Sequence, residues 1–256
     1  MTVSLIGDTG FVGGNLLRQA PISDRYNSRT IETVAGRRFD LLIIAGAPGA
    51  KWRANRDPDV DAEAIARLTA ALDRASARCV VLISTVDVYP HPVDVAESSA
   101  FVPAAACAYG RHRSALEAFV TSRFNAVVLR LPGVFGDGLK KNVMFDLLNR
   151  HQLDRINPDS VYQWYPLDRL WLDARLALAR RLRLVNLVTE PIRVADLARE
   201  VFGLDLAGSA FSTPTARYNV RTEFDRALGG RNGYLTNRAE TLHRLTRFVA
   251  RARAGA

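Results

Sequence analysis

The first seventeen residues constrain the fold more than any other stretch of this chain. Residues 3–17 read VSLIGDTGFVGGNLL: a short apolar run, then Gly7-x-x-Gly10-x-x-Gly13, then apolar residues at helical spacing. A strand that turns through glycines into a helix is a phosphate-cradling turn. The first glycine permits the tight bend, the second lets the backbone approach a pyrophosphate, and the third allows close packing of helix on strand. The phosphate oxygens then meet the N–H groups at the helix start. Gly7, Thr9, Gly10, Phe11, Val12 and Gly13 are therefore the first candidate cofactor-binding residues.

A glycine triplet means little unless the remainder of the chain alternates strands with helices, and here it does. Apolar runs at 3–6, 41–45, 80–84 and 126–131 are rich in Val, Ile and Leu, with weaker extended pieces at 24–27 and 184–188. Between them, 59–77 brings Ile65, Leu68, Leu72 and Ala75 to one helical face, and 109–124 does the same for Leu116, Val120 and Phe124. Continuous apolar strands imply a sheet covered on both sides. The expectation is an α/β fold with a doubly wound parallel sheet (Rossmann type) and a small C-terminal substrate cap. Residues 1–135 form the dinucleotide-binding core. Residues 136–256, opening with Gly- and Pro-containing loops, form a mixed segment that returns to the core and builds the cap.

Composition removes several function classes. The chain carries 35 Lys and Arg against 26 Asp and Glu, a net charge of +9. Only Lys51, Lys140 and Lys141 are lysines, and the arginines are scattered through every segment, so no stripe suited to nucleic acid emerges. No apolar run approaches the roughly 20 residues of a membrane helix. The N-terminus enters the glycine motif without a basic leader, and the expected location is cytoplasmic. Cys79 and Cys107 fit no metal spacing and are expected to be reduced packing residues. The histidines at 91, 112, 151 and 243 are too dispersed for a metal site.

With its Gly-x-x-Gly-x-x-Gly spacing, Thr9 and Phe11, the opening motif resembles the extended short-chain dehydrogenase/reductase superfamily, the NAD-dependent epimerase/dehydratase family. Further motifs follow in that family's order. LLIIAGAP (41–48) resembles the strand whose small residues Ala45, Gly46 and Ala47 line the cofactor. VLISTVDVYP (81–90) resembles Ser-Ser/Thr-x-x-Val-Tyr-Gly, YGRHR (109–113) resembles Tyr-x-x-x-Lys, and LRLPGVFGDG (129–138) resembles the segment after the active-site strand, with Pro132 beside the cofactor. The interval from Asn27 to Asp40 is too short for a full β-α unit, which suits the compact dTDP-4-dehydrorhamnose reductase-like members.

The resemblance implies catalysis by Tyr109, moving a proton on or off a sugar oxygen while hydride moves to or from the nicotinamide. A phenol ionises near 10, and an adjacent cation can lower that by about 1–3. The family's lysine is Arg113 here, one helical turn on, implied to serve both Tyr109 and the nicotinamide ribose. Arginine cannot relay a proton. Thr85, with Ser84 beside it, takes the position of the substrate-polarising hydroxyl, and Asp87 that of an acid/base carboxylate in dehydratase-like relatives; a turn cap before Pro90 is the equal alternative for Asp87. The partner acid is replaced by Val86, which disfavours dehydration.

Asn27, Ser28 and Arg29 follow the second strand where an NAD-selective fold carries an acidic residue, giving a slight lean to NADP over NAD. Glu32 falls in a short helix at 30–35. Lys51 and Asn55, together with Lys140, Lys141 and Asn142, are candidate substrate-binding residues, the later cations suited to a diphosphate. The aromatic stretch 162–166 and Trp171 suit either stacking on a base or packing. The leading expectation is an NAD(P)-dependent oxidoreductase acting on a sugar or nucleotide sugar. An epimerase with tightly bound NAD and a non-catalytic dinucleotide sensor remain open, as does a homodimer through helices 59–77 and 109–124.

Overall fold

Alternating side-chain direction along continuously buried strands explains why this chain builds a two-sided sheet. In the computed structural model, which describes residues 2–206 and 213–254, Leu5, Leu41, Ile43, Val81 and Leu129 pack on one side with Leu16, Leu170, Ala174 and Ala177. Their strand neighbours Ile6, Leu42, Ile44, Leu82 and Val128 pack on the other with Ile65, Leu68, Leu72, Leu116 and Val120. Period-two side chains thus feed two separate cores, which is what a parallel sheet sandwiched by helices requires.

The strands are β1 (Val3–Ile6), β2 (Ile22–Tyr26), β3 (Arg38–Ile44), β4 (Ser76–Thr85), β5 (Ala126–Leu131) and β6 (Leu184–Asn186). All pair in parallel in the order β6-β5-β4-β3-β1-β2. Helix α1 (Phe11–Leu17) follows β1. The short α2 (Lys51–Arg56) and α3 (Pro58–Asp73) follow β3, and α4 (Ala108–Arg123) precedes β5. The order of strands reverses at β1, with β2 laid on one side of it and β3 on the other, and the carboxyl ends at such a switch point form a crevice suited to a ligand. Only a 3-10 turn, Ile31–Val34, lies between β2 and β3, so the expected loss of one β-α unit is present as a single edge strand beside β1.

Two boundaries differ from the apolar pattern. β3 and β4 begin at Arg38 and Ser76, before their apolar runs, and α3 ends at Asp73 rather than near residue 77. The Ser76 N–H donates to the Arg37 carbonyl at 3.0 Å, so backbone pairing starts where side chains are still solvated. Apolarity marks burial, whereas strand pairing needs only backbone partners.

The later half contributes to both cores and forms a third. Helix α5 (Val143–Asn149) and α7 (Arg238–Ala254) bury Met144, Leu147, Leu245 and Phe248 against Trp164. Helix α6 (Leu170–Ala179) and β6 return to the first core. Arg247, Arg251 and Arg253 of α7 face solvent. Among the described residues no helix is long and apolar enough to cross a membrane, and no cluster of three His, Cys, Asp or Glu is arranged to hold a metal.

Candidate active site

The glycine turn is sterically closed to side chains. Gly7 adopts φ +99°, and a Cβ there would stand 2.3 Å from the Ala45 carbonyl oxygen; a Cβ at Gly13 would stand 2.0 Å from the Gly7 carbonyl oxygen. The Gly10 N–H donates to the Gly7 carbonyl at 3.0 Å, tightening the bend. Beside it opens a cleft of about 300 Å³ at the carboxyl ends of β1, β2 and β3. Gly7, Thr9, Gly10, Asn27, Ser28 and Ala45–Ala47 line it, joined by Pro48, Gly49 and Arg67. Phe11 and Val12 pack into the sheet core instead, and Pro132 is half-buried. Arg29 is exposed, its N–H donating to Asn27 Oδ1. Sequence reasoning missed Arg67, which reaches across from α3 to the Ser28 carbonyl (3.3 Å) and to Glu32 (2.8 Å). Its signal was a cation on the cleft-facing side of an otherwise ordinary amphipathic helix.

Tyr109 sits in the first turn of α4, its N–H donating to Asn55 Oδ1 at 3.0 Å. Asn55 therefore anchors the start of this helix. Gly110 lets α4 approach the turn after β4, because a Cβ there would lie 2.0 Å from the Asp87 carbonyl oxygen. That contact brings Tyr109 beside Thr85, whose hydroxyl favours the ionised phenol weakly. Thr85 caps the 3-10 turn Val86–Val88 by accepting from the Asp87 N–H at 3.1 Å. Asp87 is thus the capped residue, and its carboxylate remains available for other partners.

Arg113 lies against Tyr109, as its spacing along the helix implied, and is held there by further partners. Its guanidinium stacks 3.9 Å from the Tyr109 ring centroid, and both terminal nitrogens donate to Asp61, one at 2.9 Å. It also donates to the Pro48 carbonyl, on the wall of the cleft. Arg113 is only 2% exposed and Asp61 5%, and His112 Nδ1 shares the same carboxylate at 2.7 Å. Burial pushes the Asp61 carboxyl up, but the bonds from Arg113 and His112 outweigh it and hold it below its ordinary range. Burial likewise pushes the Tyr109 phenol up, and here the nearby Arg113 does not overcome it. The expected depression toward neutral pH is therefore corrected: the resting phenol keeps its proton more firmly than free tyrosine.

A second cluster faces Thr85 from the other direction. Asp87 Oδ1 accepts from Lys51 Nζ and from the Tyr218 hydroxyl, both at 2.7 Å, and Lys51 also donates to Tyr218 at 2.9 Å. Thr85 Oγ1 lies 3.4 Å from Asp87 Oδ2. Burial lowers the Lys51 ammonium, but Asp87 and Tyr218 raise it above its ordinary value. Burial and then Asp87 raise the Tyr218 phenol. Tyr162 stacks on Tyr218 at 5.5 Å. Tyr218, absent from the sequence-based candidates, is delivered by a strand held at Val220 through buried Gln163. Nothing in its local pattern signalled this.

The remaining candidates are dispersed. Ser84 donates to buried Glu117, which pairs with Arg130, and so belongs to the core. Lys140 and Lys141 are exposed. Asn142, at φ 123°, caps α5 by accepting from the Phe145 N–H at 3.1 Å. Trp164 and Tyr165 are buried packing residues, and Cys107, expected to be packed, is exposed at the start of α4.

No family model and no curated protein matches the chain. Solved structures match its fold over nearly its full length. A dTDP-glucose 4,6-dehydratase double mutant (DesIV) from Streptomyces venezuelae with NAD bound is similar at TM-score 0.76 and 16% identity, covering 99% of this chain and 98% of that one. A dTDP-4-dehydrorhamnose reductase from Clostridium acetobutylicum gives 0.72 and 16%, with 99% and 100% covered. RMD from Pseudomonas aeruginosa complexed with NADPH gives 0.70 and 16%, with 97% and 99% covered.

Proposed function

We propose that this protein is an NAD(P)-dependent oxidoreductase of the extended short-chain type, acting on a carbonyl or hydroxyl of a sugar or nucleotide sugar. The observation that carries this reading is the junction of the glycine-turn cleft with Tyr109 and Thr85, because Arg113 and Pro48 link the wall of the one to the ring of the other. The ordered motifs and the fold shared with nucleotide-sugar enzymes support it.

The residues fit a dinucleotide. Gly7 and Gly13 leave no room for a Cβ, and buried Arg113 Nε has no protein partner, so one donor is free beside the cleft. Gly7, Thr9 and Gly10 would hold the pyrophosphate, and Asn27, Ser28 and Arg67 the adenine ribose. Bound there, the nicotinamide supplies or accepts hydride. Tyr109 gives its proton to a carbonyl oxygen during reduction, or takes one from a hydroxyl during oxidation. Thr85 orients the same oxygen, and the closed Arg113–Asp61 pair fixes the plane of the tyrosine ring without relaying a proton. The cleft lining contains no acidic side chain, which supports the lean to NADP.

The test has two parts. NADPH and NADH affinities are measured by fluorescence titration, then turnover is assayed on a nucleotide-sugar panel with wild type and Tyr109→Phe. The expected result is submicromolar to micromolar cofactor binding by both proteins, with turnover lost in the variant. Cofactor that survives purification at one per chain would favour an epimerase. Cofactor binding without turnover in wild type would sink the catalytic reading. The raised phenol and locked Arg113 would then favour a dinucleotide-sensing protein.

A further inference from the structure

Asp87 joins several of the segments that meet around Tyr109. Its carbonyl oxygen abuts Gly110, its N–H donates to Thr85 at 3.1 Å, and its carboxylate joins Lys51 of α2 and Tyr218 of the C-terminal half. We propose that Lys51 and Asp87, clamped by Tyr218, form an adjustable charge pair beside Tyr109, whose separation by substrate retunes proton transfer at that tyrosine. This rests on the reading of Tyr109 as the proton-transferring group, and names Lys51 and Asp87 as positioning residues for it.

The geometry separates this pair from the other one. Two charged units flank the tyrosine. Arg113 from its own helix is bonded on both terminal nitrogens by Asp61 of α3, with His112 on the same carboxylate, and both partners of the ion pair are almost fully buried. Lys51 retains 42% side-chain exposure and Asp87 16%, on the side where Tyr162 and Tyr218 stack. Opposite charges in such a pair act on a neighbouring phenol with opposite sign. A carboxylate disfavours the phenolate and an ammonium favours it, so the intact pair nearly cancels. Both also act on Tyr109 in these directions. A substrate hydroxyl or anionic group that drew Lys51 from Asp87 would therefore change the phenol's proton affinity at the moment of binding.

The experiment is an ultraviolet difference titration of the Tyr109 phenolate in substrate-free protein, each variant being read against the same variant carrying Tyr109→Phe. Circular dichroism at each pH confirms that the fold persists. Lys51→Met should raise the titration midpoint by about one pH unit and Asp87→Asn should lower it by about one, while the double variant returns close to wild type. Lys51→Arg, which keeps the charge, should stay near wild type. A merely structural role would move both single variants in the same direction and the double variant further; that result, or shifts below a few tenths, overturns the proposal. If wild type unfolds before Tyr109 titrates, Asp87→Asn and Lys51→Met/Asp87→Asn are compared instead, and the absence of an upward step from the first to the second overturns it equally. Because no substrate is present, a wrong functional reading would show as absent turnover with these shifts intact.

Discussion

The two ion pairs beside Tyr109 share a residue chemistry and differ in almost everything else. Arg113–Asp61 is closed: side-chain exposures are 3% and 4%, the guanidinium is held on both terminal nitrogens, and a backbone carbonyl takes part. Lys51–Asp87 is open, with 42% and 16% exposure and a tyrosine hydroxyl as third partner. A closed pair has paid its desolvation in folding and cannot rearrange without leaving a charge stranded. An open pair exchanges partners with water or ligand at little cost. The lesson is that Arg113, at the position where the resemblance implied a lysine, is built as scaffold, and the more exposed charge pair near the tyrosine is Lys51–Asp87.

Breaking the closed pair should have the largest effect. Asp61→Asn leaves the Arg113 guanidinium buried without its counter-ion, and a loss of about 3–5 kcal/mol of stability is expected, measured by urea unfolding. Asp61 also carries a pH signature. Its carboxyl is held below its ordinary value in the folded state, so its contribution is fully present above the unfolded value of about 3.9 and is lost as pH falls through the lower folded value. The acid limb of the stability curve should accordingly flatten in Asp61→Asn. An unchanged unfolding midpoint would mean that the pair is not closed.

Gly110→Ala comes next. Its Cβ would press on the Asp87 carbonyl, so α4 must shift away from the turn. Activity should fall by about 10²-fold from misplacement of the reacting groups, while NADPH affinity, read by fluorescence, stays within a few-fold of wild type. Equal losses of binding and turnover would contradict the assignment of that contact to Tyr109.

Smaller effects sharpen the contrast. Lys51→Met should cost no more than about 1 kcal/mol of stability, as expected of a partly exposed pair, and a loss matching that of Asp61→Asn would erase the distinction between the two pairs. Arg67→Ala, remote from both, should leave stability within about 0.5 kcal/mol and shift the NADPH-to-NADH affinity ratio toward NADH. No change in that ratio would remove Arg67 from the ribose end of the cleft.

Much of the glycine-turn cleft was legible because its determinants are local. Gly7, Gly10 and Gly13 lie within one turn, and their constraint comes from φ and from backbone approach, which residue type reports directly. Ala45, Gly46 and Ala47 follow their strand immediately and line the same cleft. The surroundings of Tyr109 were legible only in fragments. Lys51 and Asp87 were marked as separate candidates, 36 residues apart, and nothing in either neighbourhood announced that they would meet. Ser84, adjacent to Thr85, turned to the opposite face of the strand and found Glu117, as strand periodicity dictates once the sheet is placed. Asn55 and Asn142 have the composition of ligand-binding residues and are spent on helix starts.

By itself the sequence determined the strand order in time, the two-sided sheet, the glycine turn and the identity of the tyrosine at the start of α4. These follow from short-range rules: side-chain period, glycine sterics and spacing along a helix. Tertiary structure alone decided the electrostatics around that tyrosine. It paired Arg113 with Asp61 across 52 residues and carried Tyr218 131 residues to Asp87. Charge interactions depend on distance and burial in space, so the sign and strength of each group's influence on Tyr109 existed only after the chain had closed around it.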